Sequence, residues 1–162
     1  MSADGIQGNQ TSTAKVQQAL RDRGVAATVV EMPASTRTAK EAAQAVGCEV
    51  GQIAKSLVFR GASGKPYLVI ASGANRVNEA VMSRNIGEPI ERATPDFVRE
   101  TTGYAIGGVP PLGHQQPMAV WLDRDLMAYD RIWAAAGTPF AVFEIIPADL
   151  ERAAGAIVVD VK

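Results

Sequence analysis

The sequence predicts one α+β domain built around a mixed β-sheet, with short helices set among short strands. Three observations predict it. Apolar, β-branched runs of strand length alternate with helical segments that carry their own start and stop signals. The 162 residues suffice for a single core. No internal repeat and no linker divides the chain, so the elements must share one sheet.

Taken in order, residues 1–13, MSADGIQGNQTST, lack a basic n-region and an apolar h-region. They are expected to form a flexible tail ahead of a domain at residues 14–162. Ala14 to Arg23 reads as a helix, capped by Thr13 and stopped by Gly24. Val25 to Met32 is short and β-branched and reads as a strand. Thr38-Ala39-Lys40-Glu41 is a capping box, and the helix it opens stops at Gly47. Two apolar runs then flank Gly61-Ala62-Ser63-Gly64, the pattern of a β-hairpin. Val77 to Arg84 reads as a short helix ended near Gly87. Thr94-Pro95 caps and opens another helix, which Gly103 ends. Met118 to Asp123 reads as a strand. The runs 131–137 and 139–145 read as two more, joined by a tight turn at Gly137-Thr138. Pro147 opens a last helix ending at Gly155, and residues 156–161 suit a closing strand.

Composition narrows the function. Hydrophobic residues make up 47% and charged residues 20%, with a net charge of −1. A near-neutral chain does not suit a protein that wraps a long nucleic-acid backbone, so DNA is not an expected partner. A partner offering a short end remains compatible. No apolar run approaches the ~20 residues of a membrane span, so no membrane partner and a cytoplasmic location are expected. The single cysteine, Cys48, allows no internal disulfide, and the single histidine disfavours a His-based metal site.

Few residues could carry chemistry. In strand register Lys55 shares a face with Leu57 and Phe59, which places its ammonium in a cleft; an exposed strand end suits the same pattern. The segment GYAIGGVPPLGH, Gly103 to His114, concentrates backbone control in one loop. Glycine lets backbone approach a ligand, and the two prolines stiffen the segment and remove donors. The N–H groups near Gly107, Gly108 and Val109 could then stabilise a developing oxyanion. A structural crossover would use the same residues. His114 could serve as a base, but no nucleophile elbow accompanies it, so a loop-capping role suits it better. Asp123, Asp125 and Asp130 lack the glycine and glutamate of a calcium loop. Trp121 and Trp133 fall in apolar strands and read as core.

Four segments together resemble one family. They are residues 38–59, from the capping box to Lys55; residues 75–87, NRVNEAVMSRNIG; GGVPP, Gly107 to Pro111; and residues 131–161. This ordered set resembles the YbaK/ProX family of aminoacyl-tRNA deacylases, free-standing relatives of the editing domain of bacterial prolyl-tRNA synthetases. The resemblance implies a compact domain with a curved, barrel-like mixed sheet, short helices around it and a cleft at one side. It implies hydrolysis of the ester between a wrong amino acid and the terminal adenosine of tRNA, without a cofactor. Lys55 would contact the terminal nucleotide. Gly107 and Gly108, in the G-x-x-x-P loop ending at Pro111, would supply donors to the ester carbonyl. The nucleophile would be water assisted by the substrate's 2′-hydroxyl, which explains why no catalytic triad is needed. Met32, Ser56, Val109, Gly137 and Thr138 are expected to line the amino-acid pocket, and His114 to touch phosphate or ribose.

The implied partners are the acceptor end of a mischarged tRNA, foremost tRNA(Pro), and prolyl-tRNA synthetase. Alanine, 2-aminobutyrate, serine and cysteine are all candidate amino acids. Val109-Pro110 replaces the Cys-Ser of the cysteine-specific branch, which removes a hydroxyl and one N–H. Two other classes fit the same residues. A non-catalytic module could hold tRNA ends or nucleotides beside a synthetase. An esterase using His114 as base would show a pH–rate limb near ~6.5.

Overall fold

The computed structural model describes residues 11–162. The part of the expected tail that precedes residue 11 lies outside them. The chain folds as helix α1 (Ser12–Asp22), strand β1 (Val30–Glu31), α2 (Ala39–Val46), β2 (Ile53–Gly61), β3 (Pro66–Ser72), α3 (Glu79–Ile86), β4 (Ile90–Arg92), α4 (Pro95–Thr102), β5 (Ala119–Asp123), β6 (Ile132–Ala135), β7 (Ala141–Ile145), α5 (Pro147–Ala154) and β8 (Ile157–Val159). The strands form one mixed sheet in the order β1-β7-β6-β2-β3-β5-β8, with β4 paired to β2 off that path. The α+β class expected from the sequence is the one observed.

Local signals account for most of the elements. At α2 the Thr38 hydroxyl accepts from the Glu41 N–H at 3.1 Å, and the Glu41 carboxylate accepts from the Thr38 N–H at 3.2 Å. The Thr94 hydroxyl caps α4 ahead of Pro95. Three boundaries differ from expectation. Helix α1 starts at Ser12 because the hydroxyl of Thr11, not of Thr13, caps it. Helix α3 starts at Glu79 because the Asn78 side chain accepts from the N–H groups of Ala80 and Val81. Of the strand expected over residues 25–32, only Val30–Glu31 pairs, with β7. The Gln17 amide takes the place of a partner strand: it donates to the Ala27 carbonyl and accepts from the Val29 N–H, both at 2.9 Å.

Strand β2 organises the molecule. Its Ala54 and Val58 side chains enter the main core with Leu68, Ile70, Leu122, Phe143 and the apolar stripe of α1. Leu57 and Phe59, on the opposite face, pack in a smaller cluster with Met82 of α3 and Val161. Both faces of the strand are therefore covered, which is why apolar residues fall on both of them.

One edge of β2 pairs with β3 along Ala54–Arg60. The other edge is shared. Strand β6 runs parallel to Ile53–Ala54 at its start, and β4 runs antiparallel to Phe59–Gly61 at its end. The Ala93 N–H adds a bond to the Val58 carbonyl. Between these two partners the edge at residues 55–57 has no strand beside it. The sheet is split there.

Candidate active site

The split opens into a cleft of about 280 Å³. Its floor is the β2 segment 53–58. Arg92 and Ala93 close one side, Trp133 to Ala135 the other, and the glycine-proline loop contributes Ile106, Gly107 and Val109. Val58, Val98 and Val142 make the inner wall apolar, while Thr36, Arg37 and Thr38 bring polar groups from the segment opening α2. A second hollow of about 250 Å³ adjoins it, lined by Lys55, Leu57, Phe59, Arg76, Val77, Glu79 and Arg92. Lys55, Leu57 and Arg92 belong to both.

Lys55 is half-buried, and its ammonium donates to the Asn75 carbonyl at 2.6 Å. Burial pushes its pKa below the ordinary lysine value, and Arg92 adds to that effect, while Asp123 opposes it. The Arg92 guanidinium itself lies over the Phe59 ring, 5.7 Å from the centroid.

Ser56 presents three polar groups to the split. On the β4 side of β2 the Val58 carbonyl accepts from the Ala93 N–H and the Ala62 N–H donates to the Pro89 carbonyl, while on the β3 side the Ile53 carbonyl accepts from the Gly73 N–H and the Gly61 N–H donates to the Lys65 carbonyl. Alternation then leaves the Ser56 N–H and C=O on the open edge. Its hydroxyl is buried and has no hydrogen-bond partner among the described residues. Buried polar groups are normally paired, and Trp121 Nε1 is likewise without a partner among the described residues.

The glycine-proline loop is held from behind. The Gly137 N–H donates to the Gly108 carbonyl at 2.8 Å, and a Cβ on Gly108 would fall 2.8 Å from backbone atoms of Gly137 and Thr138. Gly107 has φ +97°, a left-handed conformation suited to glycine, and the Arg37 side chain lies against it. Gly108 does not supply the N–H donor expected of it, because that N–H closes a turn onto the Ala105 carbonyl at 3.1 Å. The N–H groups of Gly107 and Val109 have no partner among the described residues and are the available donors.

Of the residues singled out in the sequence, Lys55, Ser56, Gly107 and Val109 meet in the cleft. Gly108, Gly137 and Thr138 lie one layer behind as the loop's support. Met32, Pro111 and His114 do not line it. The Met32 N–H is spent on the Phe140 carbonyl, and Pro111 is buried behind the loop. The His114 ring bonds through Nε2 to the Pro110 carbonyl at 2.7 Å, tying the loop to itself. Arg37, Arg92, Ile106 and Trp133 were not foreseen. Arg37 directly precedes the capping box, whose structural role accounts for that stretch of sequence, and Trp133 reads as core until β6 is known to border the split.

Burial lowers the His114 pKa, against a smaller opposing effect of the Pro110 bond. The folded value lies below the unfolded one, so the stability that His114 contributes is present above the unfolded value of ~6.5 and lost as pH falls through the folded value. Wild type is therefore expected to lose more stability to urea than His114→Gln between about pH 7.5 and about pH 5.5. Equal losses would remove His114 from the account. Among the described residues no helix is long and apolar enough to cross a membrane.

Comparison with known proteins identifies the fold and the family. A solved structure of a candidate trans-editing enzyme for prolyl-tRNA synthetase superposes with a TM-score of 0.88 at 55% identity, over 93% of this chain and 96% of that one. An uncharacterised Bacillus subtilis protein, YwhH, is 32% identical over 124 residues, 76% of this chain and 79% of its own. An Enterococcus faecalis protein, EbsC, named as a candidate Cys-tRNA(Pro)/Cys-tRNA(Cys) deacylase, is 26% identical over 111 residues, 68% of each chain. The family described as "Aminoacyl-tRNA editing domain" matches residues 33–153. With most of its sheet, both walls of the split and the glycine-proline loop inside that match, the chain belongs to the YbaK-type aminoacyl-tRNA editing domain family.

Proposed function

We propose that the protein hydrolyses the ester of a small, wrongly attached amino acid on the acceptor end of tRNA, with tRNA(Pro) the first candidate. The observation that carries this reading is the split in the sheet, where one lysine borders two adjoining hollows. The larger hollow, with its apolar inner wall, suits an amino-acid moiety. The smaller one, with Arg76 and Arg92, suits the terminal nucleotide and its phosphate.

In this reading the ester carbonyl lies against the N–H groups of Gly107 and Val109. Each donor aimed at the developing oxyanion is worth roughly 3 kcal/mol of barrier. The Ser56 carbonyl and hydroxyl accept from the substrate's α-ammonium. Lys55 holds the ribose and phosphate side. Water attacks the carbonyl carbon while the 2′-hydroxyl relays its proton. The bond from that carbon to the 3′-oxygen breaks, giving a free amino acid and a 3′-hydroxyl. No protein nucleophile is required. A synthetase pocket separates side chains differing by one methylene by only about 1–3 kcal/mol, which is the need such an enzyme meets.

The test is deacylation of tRNA(Pro) charged separately with alanine, 2-aminobutyrate, serine, cysteine and proline. Fast release of one small amino acid with proline spared is expected. Tight binding of the charged tRNA with every ester intact would reassign the cleft to a binding module.

A further inference from the structure

We propose that Asp123 and Asn75 are positioning residues for Lys55: a buried carboxylate at the end of β5 fixes the turn whose carbonyl grips the lysine ammonium. The proposal rests on the reading of Lys55 given above.

Asp123 is 1% exposed. Its Oδ2 accepts from the Ser72 N–H at 2.9 Å and from the Asn75 side-chain amide at 2.8 Å. Its Oδ1 accepts from the Asp125 N–H at 2.9 Å. None of these donors is a cation. A carboxylate taken out of water is costly, and three N–H bonds directed at it offset that cost only while the turn keeps its shape. The carboxylate and the turn therefore hold each other.

The turn leads from β3 to α3. Besides the bond from Ser72 to Asp123, the Ser72 hydroxyl donates to the Gly51 carbonyl at 2.7 Å, and the Asn75 N–H donates to the Ser72 carbonyl at 2.9 Å. Asn75 is thus held by its backbone and by its amide, and its own carbonyl is left to accept from Lys55. The Asn75 amide also donates to Asp125 at 2.8 Å, and Lys162 spans Asp125 and the Asn75 side-chain oxygen. Because β5 runs parallel to β3 at Ile70↔Leu122, Asp123 emerges directly under the turn.

Charge adds to position. Around Lys55 stand Arg92 of β4, Arg76 and Glu79 across the smaller hollow, Arg37 in the larger one, and Asp123, Asp125 and Lys162 in the network. Burial and Arg92 disfavour the charged ammonium, and Asp123 favours it. One residue therefore fixes the acceptor of Lys55 and supports its charge. The sequence showed Asp123 only as one of three nearby acids, and burial distinguishes it from the other two.

The test follows the Lys55 side-chain resonances by NMR titration, and measures kcat and KM with charged tRNA, in wild type, Asp123→Asn and Asn75→Ala. In folded Asp123→Asn, Lys55 is expected to lose its proton at lower pH than in wild type. Asn75→Ala keeps the backbone carbonyl and the Asp123 charge, so it acts through position alone. Its kcat is expected to fall about tenfold or more with KM little changed. A wild-type Lys55 titration in folded Asp123→Asn overturns the proposal, as does a wild-type kcat in Asn75→Ala. If Asp123→Asn fails to fold, Asn75→Ala decides alone. If wild type hydrolyses no charged tRNA, the functional reading fails, while the titration of the free protein still decides whether the network governs Lys55.

Discussion

Lys55→Ala is expected to lower kcat/KM for deacylation by about two to three orders of magnitude, the scale seen when one charged or oriented contact to a reacting group is removed. The fold should survive. The ammonium makes a single hydrogen bond, to a backbone carbonyl, and forms no ion pair within 4.0 Å among the described residues. Its burial already disfavours the charged form, so alanine removes an unfavourable term together with the contact. The thermal midpoint is expected to stay level or rise. Arginine should not substitute, because a planar fork cannot reproduce a point charge seated on one carbonyl. Thermal unfolding beside a tRNA deacylation assay checks both halves. A folded variant retaining a tenth of the wild-type rate would remove Lys55 from the chemistry.

Gly108→Ala is the second large effect, and it operates through the backbone. The added methyl would lie 2.8 Å from the Gly137 carbonyl carbon and from Thr138 Cα and N. These are main-chain atoms of a turn and have no rotamer to escape into, so the loop or the turn must move. Overpacking of this kind costs about 1–3 kcal/mol, which a domain of this size can tolerate. The neighbouring N–H groups of Gly107 and Val109 move with the loop. A misplacement of about 1 Å in a catalytic donor can cost about a hundredfold in rate. A folded Gly108→Ala protein with about one hundredth of wild-type activity is the expected result. Wild-type activity would mean that the loop does not aim donors at the substrate.

These two residues show what was legible in the sequence and what was not. Lys55 was placed by strand alternation with Leu57 and Phe59, a local argument, and it lines one hollow with them, but their face packs the smaller cluster and not the main core, which takes Ala54 and Val58. The capping box at Thr38 and Glu41, the hairpin and the Thr94-Pro95 start were local in the same way. Gly108 was marked as special, but for the wrong atom. Its N–H is spent, and its missing side chain is what matters, because the β6–β7 turn packs on it. That turn lies about thirty residues later, and nothing near Gly108 announces it. The strand expected over residues 25–32 shrank for a related reason: Gln17, in the preceding helix, satisfies its backbone. The split in the sheet was invisible because it depends on where β6 and β4 stop along β2, not on β2 itself.

The split also bears on what can reach the bare main-chain groups of β2. Exposed strand edges invite another chain to add a strand, and proteins usually blunt them with charge, proline or a bulge. Here the open edge is internal. It covers residues 55–57, roughly 10 Å at about 3.3 Å per residue, and β6 and β4 stand at its two ends. An intruding strand of the usual 5–6 residues or so would collide with both. A small molecule would not. The length of the gap therefore acts as a filter, admitting a ligand of a few atoms to bare main-chain groups while refusing the polymer that would otherwise be their most natural partner.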